Sequence, residues 1–432
     1  MSLSKDALAI KGGKPVRTKP LPQEWPGAWH FDKLEVKAVT RVVKSKSLFR
    51  FYGPQLLGEV SLLEKEFASY IGVKHALAVN SGTNSLQVAL SALGCSYGDE
   101  VIMPGYFWVS IAAAAVRCGA IPVLCDTDET FSLDPKKLES LITPRTKAVI
   151  MVHMGGVIGR VKEVAKICRK HKIAFLEDCA QAAGASQNGR KCGTFGDIAI
   201  FSFQLNKHMT SGEGGMVVTN NDRLYRRAFA SHDLGYARSE SGRLVLDDPE
   251  VQLWGVGGRM SELTAAVLRV QLSKLNKIVG NMRGAKNCIK DALSDIKGLT
   301  FRKVLDPSGD GGSFMYVVLP NRPVSLEFVN ALQAEGIRGG EGGMYPVHMD
   351  GWGFHIYYNI PGLVNKAAFG AKSVWDLAEN AGSKSVSYKK GTCPNLDEVL
   401  TRTMVMCIAS KMSARDVKDI IKGFRKVAKH LL

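Results

Sequence analysis

Apolar residues fall along this chain in two rhythms that take turns. Short runs rich in Val, Ile, Leu, Met and Phe recur, each closed by turn residues: HALAVN (75–80), EVIMP (100–104), IPVLCD (121–126), AVIMVH (148–153), IAFLED (173–178) and DIAIFSF (197–203). Near-continuous apolar runs of this length predict strands covered on both faces. Between them lie stretches of helical period. SLLEKEFASYIG (61–72) carries Leu62, Leu63, Phe67 and Tyr70 at helical spacing and stops at Gly72, and TNSLQVALSALG (83–94) and VKEVAKICRKH (161–171) are further helix candidates. The alternation from about residue 60 onward predicts a doubly wound, three-layer α/β domain with a mostly parallel sheet.

The rhythm changes after a long amphipathic stretch, MSELTAAVLRVQLSKLNKIVGNMRGAKNCIKDAL (260–293). Beyond it SFMYVVLP (313–320) reads as a strand and SLEFVNALQAEG (325–336) as a helix. The last helix has Val417, Ile420, Ile421, Phe424 and Val427 on one face, and Ser413 with Asp416 is placed to cap it. Residues 339–395 are rich in glycine and aromatics and read as long loops, which in a compact enzyme more often serve a site than fill space. The expected division is a large domain with an N-terminal arm over 1–280 and a smaller α+β domain over 281–432 that contributes loops to the site.

With 432 residues, 45% of them hydrophobic, the chain buries a large core. Its net charge of +17 raises the question of nucleic acid, but the basic residues are spread along the whole length with no basic block interleaved with aromatics. A basic surface facing an acidic or phosphorylated small molecule suits that field, and no nucleic-acid partner is expected. Nine cysteines, scattered without a CxxC pair, read as reduced core residues. No run reaches the ~18 apolar residues of a membrane span, so a cytoplasmic protein with no membrane partner is expected. No two histidines have metal-ligand spacing, and no metal is expected.

Candidate chemistry gathers at the ends of the strand candidates. In SFQLNKHMTSGEGGM (202–216), Lys207 stands between an apolar run and a glycine-rich turn that lets backbone and a flat ligand approach closely. A lysine desolvated there loses part of its preference for charge and can form a Schiff base with an aldehyde, although a lysine at a strand end is ordinarily a surface residue. Asp178 ends IAFLED, where ligands of open α/β sheets bind; its plainer reading is a cap for a following helix. Opposite a pyridine nitrogen, a carboxylate keeps that ring protonated and makes it an electron sink, and Gln181 lies within reach of the ring's phenolic oxygen. Ser81, Gly82 and Thr83 leave a strand and open a helix, which offers free amides to a phosphate, or simply an N-cap. Ser202 adds a hydroxyl. Trp108, after EVIMP, is placed either to stack on a ring or to join the core. His208 beside the lysine reads as structural.

A phosphate cup, a stacking aromatic, a ring-nitrogen acid and a Schiff-base lysine, in that order, are the requirements of pyridoxal phosphate. Here the chain resembles the DegT/DnrJ/EryC1/StrS sugar aminotransferases, within fold type I of the pyridoxal-phosphate enzymes. The likeness rests on GPQLLGEVSLLEKEFASYIGVKHALAVNSGTNSL, GDEVIMPGYFWVS, TPRTKAVIMVHMGG, LEDCAQAAGA, GDIAIFSF, KHMTSGEGGM, RMSEL and YPVH. The resemblance implies Lys207 as the catalytic, cofactor-bearing lysine and Asp178 on the pyridine nitrogen. It also implies Gln181 on the phenolic oxygen, Trp108 stacked on the ring, and Gly82, Thr83 and Ser202 on the phosphate. His348 and Tyr345 of YPVH would meet substrate. It further implies a homodimer with shared sites, in which the family has an asparagine two residues before the arginine of RMSE; here Gly257 stands in that place. SFQ followed by K and GEGG is nearest to members that aminate inososes and to the aminohydroxybenzoate synthases. The expected reaction moves an amino group from L-glutamine or L-glutamate, by way of pyridoxamine phosphate, to a keto-cyclitol or keto-sugar. Two alternatives stay open: an aminotransferase for a nucleotide-linked keto-sugar, and a non-catalytic regulatory or binding protein on the same fold. A dehydratase of this fold carries histidine in place of the lysine, so Lys207 argues against it.

Overall fold

The structure, a computed structural model, describes residues 7–340, 346–383 and 386–432. Seven strands build the large sheet: β1 (His75–Val79), β2 (Glu100–Pro104), β3 (Ile121–Cys125), β4 (Thr146–Val152), β5 (Ala174–Asp178), β6 (Ile198–Ser202) and β7 (Gly215–Thr219). Their order is β1-β7-β6-β5-β4-β2-β3. All neighbours are parallel except β7, which runs antiparallel to both β1 and β6. Because β1 and β6 both oppose β7, they share one direction, and the carboxyl ends of β1 through β6 reach the same edge of the sheet.

Each strand feeds both faces, as the unbroken apolar runs predict. On one face α2 (Glu59–Ile71), α5 (Val161–His171) and α7 (Glu262–Asp291) bury Leu63, Phe67, Val164, Leu268 and Leu275 against Val149, Met151, Phe175 and Phe201. On the other, α3 (Gly82–Leu93) and α4 (Ser110–Arg117) bury Leu86, Ala89, Ile111 and Ala114 against Ile150, Val152, Leu176 and Ile200. Neighbours in β4 therefore serve opposite layers. Helix α6 (Asp222–His232) packs beside α3, and α1 (Lys33–Ser45) lies along α7.

The smaller sheet holds β8 (Thr300–Phe301), β9 (Phe314–Val318), β10 (Val347–His348) and β11 (Thr403–Cys407) in the order β8-β9-β11-β10, all antiparallel. It is backed by α8 (Arg322–Ala334) and α9 (Ala414–Leu431), whose Phe328 and Phe424 meet with ring centroids 5.7 Å apart. The capping box at Ser413 and Asp416 forms, with Ser413 Oγ accepting from the Asp416 amide at 3.2 Å. The N-terminal arm crosses to this layer. Glu335 accepts from the amides of Ala9 and Val16, and Arg17 donates to Asp419.

The described residues of 349–383 and 386–400 form turns, short 3-10 helices and the brief α-helices Pro361–Val364 and Pro394–Leu400 rather than long regular elements, as their composition predicts. Much of this segment fills space: Trp375, Tyr388 and Leu396 are buried in the layer that covers β2 and β3, and the Tyr388 hydroxyl donates to the Pro122 carbonyl at 2.7 Å.

Candidate functional site

The common edge of the large sheet collects most of the residues singled out in the sequence. Ser81 caps α3 by accepting from the Asn84 amide at 3.1 Å, so the plainer reading of that serine holds. The amides of Gly82 and Thr83 belong to the first turn and have no intrahelical partner. A side chain at Gly82 would put its Cβ 2.7 Å from Ser202 Cβ, and one at Gly215 would lie 2.5 Å from the Ser81 carbonyl oxygen. These two glycines bring the start of α3 against the ends of β6 and β7, which sets the Ser202 hydroxyl beside the helix N-terminus.

Lys207 sits at the tip of a narrow loop between β6 and β7. The loop is held by Phe203 N–H to Gly214 O at 2.8 Å, Leu205 N–H to Gly212 O at 3.1 Å and Lys207 N–H to Gln204 O at 2.9 Å. The arm returns here, where Gly27 N–H donates to the Lys207 carbonyl at 3.1 Å. Loss of hydration pushes the Lys207 ammonium below the ordinary lysine pKa, opposed by the charges of Asp178 and then Glu213.

Asp178 closes β5 and is buried, at 4% exposure. Its Oδ1 accepts from the Ala180 amide at 2.8 Å within a turn; no helix follows, so it is not a helix cap. Burial raises its pKa above the usual carboxylate value, opposed by the Ala180 amide, Lys207 and His153 in that order. Gln181, on the same turn, accepts at Oε1 from the Gly155 amide at 2.9 Å. That bond fixes the side-chain amide, leaving Nε2 as the donor turned to other partners.

Trp108 is 43% exposed rather than in the core, with its ring centroid 4.7 Å from that of His355. His208 is buried, and neither ring nitrogen has a partner among the described residues. Burial and Lys207 lower its pKa to about 4, with Asp310 opposing. His348 lies apart from this group in β10. Its Nε2–H donates to the Thr401 carbonyl at 2.9 Å and its Nδ1 accepts from the Asp350 amide at 3.2 Å, so both nitrogens are engaged by backbone. Tyr345 lies outside the described residues.

Three groups escaped the reading of the sequence. His153 follows β4 at the same edge, and its Nε2–H donates to Glu177 Oε2 at 2.9 Å. Glu177 also accepts from the amides of Phe195 (2.6 Å), Gly196 (2.7 Å) and Gly193 (2.9 Å) with no exposed surface. His153, Glu177 and Cys179 bring possible ligand atoms within 4.8 Å of one another, but the Glu177 oxygens are already taken by these four donors. The third, His355, comes from the loop after β10. The strand-end rule that found Asp178 would have found His153; nothing in the local pattern marks His355.

The smaller sheet grips the turn after β4. Gly311 N–H donates to the Gly156 carbonyl at 2.9 Å, and a Cβ on Gly156 would lie 3.1 Å from Gly311 Cα. Arg302 donates to the carbonyls of Thr130 and Met154 at 2.5 and 2.6 Å.

Residues 30–352 match the DegT/DnrJ/EryC1/StrS aminotransferase family. An L-glutamine:2-deoxy-scyllo-inosose aminotransferase of Streptomyces kanamyceticus is 36% identical over 303 residues, covering 68% of this chain and 70% of that one. Among solved structures, 3-amino-5-hydroxybenzoic acid synthase is 27% identical with a TM-score of 0.76, covering 96% of this chain and 99% of the other. DesV of S. venezuelae, solved in complex with a ketimine intermediate, is 26% identical with a TM-score of 0.76, covering 96% and 100%.

Proposed function

Because the chain belongs to the DegT/DnrJ/EryC1/StrS aminotransferase family, we propose that it transfers an amino group from L-glutamine or L-glutamate to a keto-cyclitol or keto-sugar, with a polyhydroxylated carbocyclic ketone as its acceptor. The cofactor is pyridoxal phosphate, which supplies an aldehyde to carry the amino group and a ring that takes up electron density. The residues at the sheet edge fit it. A buried carboxylate with a raised pKa at Asp178 gains from a cationic ring nitrogen beside it. The free first-turn amides at Gly82 and Thr83, next to the hydroxyls of Thr83 and Ser202, suit a phosphate.

In this reading Lys207 Nζ would hold the cofactor's aldehyde carbon and would serve as the base that takes a proton from the substrate carbon and as the acid that gives it back. Its lowered pKa favours the neutral amine that both tasks need. Asp178 would hold the ring nitrogen. Gln181 would donate from Nε2 to the phenolic oxygen, the orientation left to it by the Gly155 amide. Trp108 would cover the ring and keep water from it. The observation that carries the proposal is that Lys207 and Asp178, from separate strand ends, stand in each other's field at the edge where α3 presents its N-terminus.

The acceptor class is supported by the SFQ–K–GEGG motif and by the inosose-acting relative. We also propose a homodimer: Trp254, three residues before Gly257, is 95% exposed, a surface suited to cover by a second copy. The nine cysteines are all free, which supports a reducing, cytoplasmic setting. Among the described residues no helix is long and apolar enough to cross a membrane.

The test is the visible spectrum of the protein loaded with pyridoxal phosphate, with Lys207→Ala alongside. The wild type should show a band that L-glutamine or L-glutamate bleaches and 2-deoxy-scyllo-inosose restores. The variant should lack the band and lose at least about 100-fold in turnover. A band that does not depend on Lys207 would refute the site. A bleached band restored only by a nucleotide-linked keto-sugar would refute the acceptor class.

A further inference from the structure

The family match ends at residue 352, and the next few residues return to the site edge. The segment 353–357 is pinned along the stretch that carries Trp108. Phe107 N–H donates to the His355 carbonyl at 2.9 Å, Tyr357 N–H donates to the Gly105 carbonyl at 3.2 Å, and Tyr106 and Ile356 form an antiparallel bridge. His355 is thereby held with its ring 4.7 Å from Trp108, tilted by 50°, and 5.2 Å from Trp352 behind it. It lies close enough to Lys207 to feel its charge.

The tautomer of His355 follows from its one described partner. Nδ1–H donates to the Trp352 carbonyl at 3.2 Å, which leaves Nε2 as a lone pair with no partner among the described residues. Burial, with Lys207 adding to it, lowers the pKa to about 4 against the Trp352 bond, so the ring is neutral near pH 7. A neutral acceptor beside an exposed tryptophan is selective. The carboxylates of glutamine and glutamate present lone pairs and negative charge, which a lone pair repels. A ring hydroxyl presents a proton.

We propose that His355 is a specificity-determining residue for the amino acceptor: Nε2 accepts a hydrogen bond from a hydroxyl of the polyhydroxylated ketone held beside Trp108. This rests on the functional reading above and extends it from the cofactor to the acceptor.

The experiment uses the full chain loaded with pyridoxal phosphate, as wild type, His355→Phe and His355→Gln. Three single-turnover reactions are followed by the visible band: L-glutamate as donor, then 2-deoxy-scyllo-inosose and plain cyclohexanone as acceptors. Loss of one neutral hydrogen bond predicts that His355→Phe slows the polyol reaction about tenfold while cyclohexanone and the donor stay within about twofold. His355→Gln, which keeps an acceptor oxygen at similar reach, should recover part of the loss. Calorimetric titration should show the same selective rise in Kd for 2-deoxy-scyllo-inosose and an unchanged Kd for pyridoxal phosphate. Equal losses with both ketones and with the donor would make His355 merely structural and overturn the inference, as would an unaffected polyol reaction in His355→Phe. If the wild type has a Lys207-dependent band that L-glutamate bleaches but 2-deoxy-scyllo-inosose never restores, the acceptor class itself is wrong and this inference falls with it.

Discussion

Replacing Glu177 tests the frame beneath Asp178 through a countable set of bonds. Its Oε1 accepts from the amides of Phe195 and Gly196, and its Oε2 from the Gly193 amide and His153 Nε2–H, all between 2.6 and 2.9 Å. In Glu177→Gln the carbonyl oxygen can keep the first two donors. The new NH2 then faces the Gly193 N–H, donor against donor, while His153 can adapt by exchanging tautomers. One buried amide is stranded and a charge-assisted acceptor is lost, a cost of about 2–3 kcal/mol. Glu177→Ala strands all four donors and should cost about 4 kcal/mol or more. For 432 residues, an unfolding entropy of about 2 cal/mol/K per residue makes 1 kcal/mol worth about 1 °C in Tm. Scanning calorimetry of the holo protein should therefore show drops of about 2–3 °C for Gln and at least about 4 °C for Ala. A double-mutant cycle with His153→Asn should give a coupling of about 1 kcal/mol. If Gln leaves Tm unchanged, or costs as much as Ala, the assigned hydrogen bonds do not hold this turn.

Two further outcomes follow from the geometry. His208, His232 and His355 have pKa values lowered to about 4, about 3 and about 4 by burial, so each stays neutral in the fold while the unfolded chain takes up a proton below about pH 6.5. Their contribution is present above that pH and is lost as pH falls toward about 4, at up to about 1.4 kcal/mol per unit for each fully enclosed ring. Asp178, whose pKa is raised, works the other way. Tm should fall over this window, and His208→Leu should flatten the fall; an unchanged slope would count against the burial argument. Gly257 has φ of 64° with nothing within 4 Å of an added Cβ, a conformation asparagine tolerates. Gly257→Asn should keep Tm within about 1 °C and lower the Kd for pyridoxal phosphate; an unchanged Kd would show that the chain does not depend on a contact from this position.

What the sequence disclosed follows from the kind of information each feature carries. The strands of the large sheet were legible because burial on both faces writes itself as an unbroken apolar run, and the places of Asp178, the last residue of such a run, and of Lys207, four residues beyond another, follow from those runs. The reversed direction of β7 was not legible, since MVVT reads the same whichever way it runs. His153 was missed because a histidine after a strand is often a satisfied core residue, and only the 2.9 Å bond to Glu177 shows what it holds. His355 was beyond reach. Its place beside Trp108 is set by a bridge between residues 250 positions apart in the chain, Tyr106 and Ile356, and no local pattern encodes a pairing that distant.

The contact between Gly156 and Gly311 joins the two sheets through backbone alone. The same turn offers Gly156 to the smaller sheet and Gly155 to Gln181, so its two neighbouring peptides point at different clients. The smaller sheet's flank and the Gln181 side chain are therefore held by adjacent peptides of a single turn, through backbone amides and carbonyls with no side chain in between. A methyl group at Gly156 or Gly311 would press on the facing Cα at 3.1 or 3.0 Å, so this one seam would have to open by a few tenths of an ångström and the Gln181 amide contact beside it would loosen first.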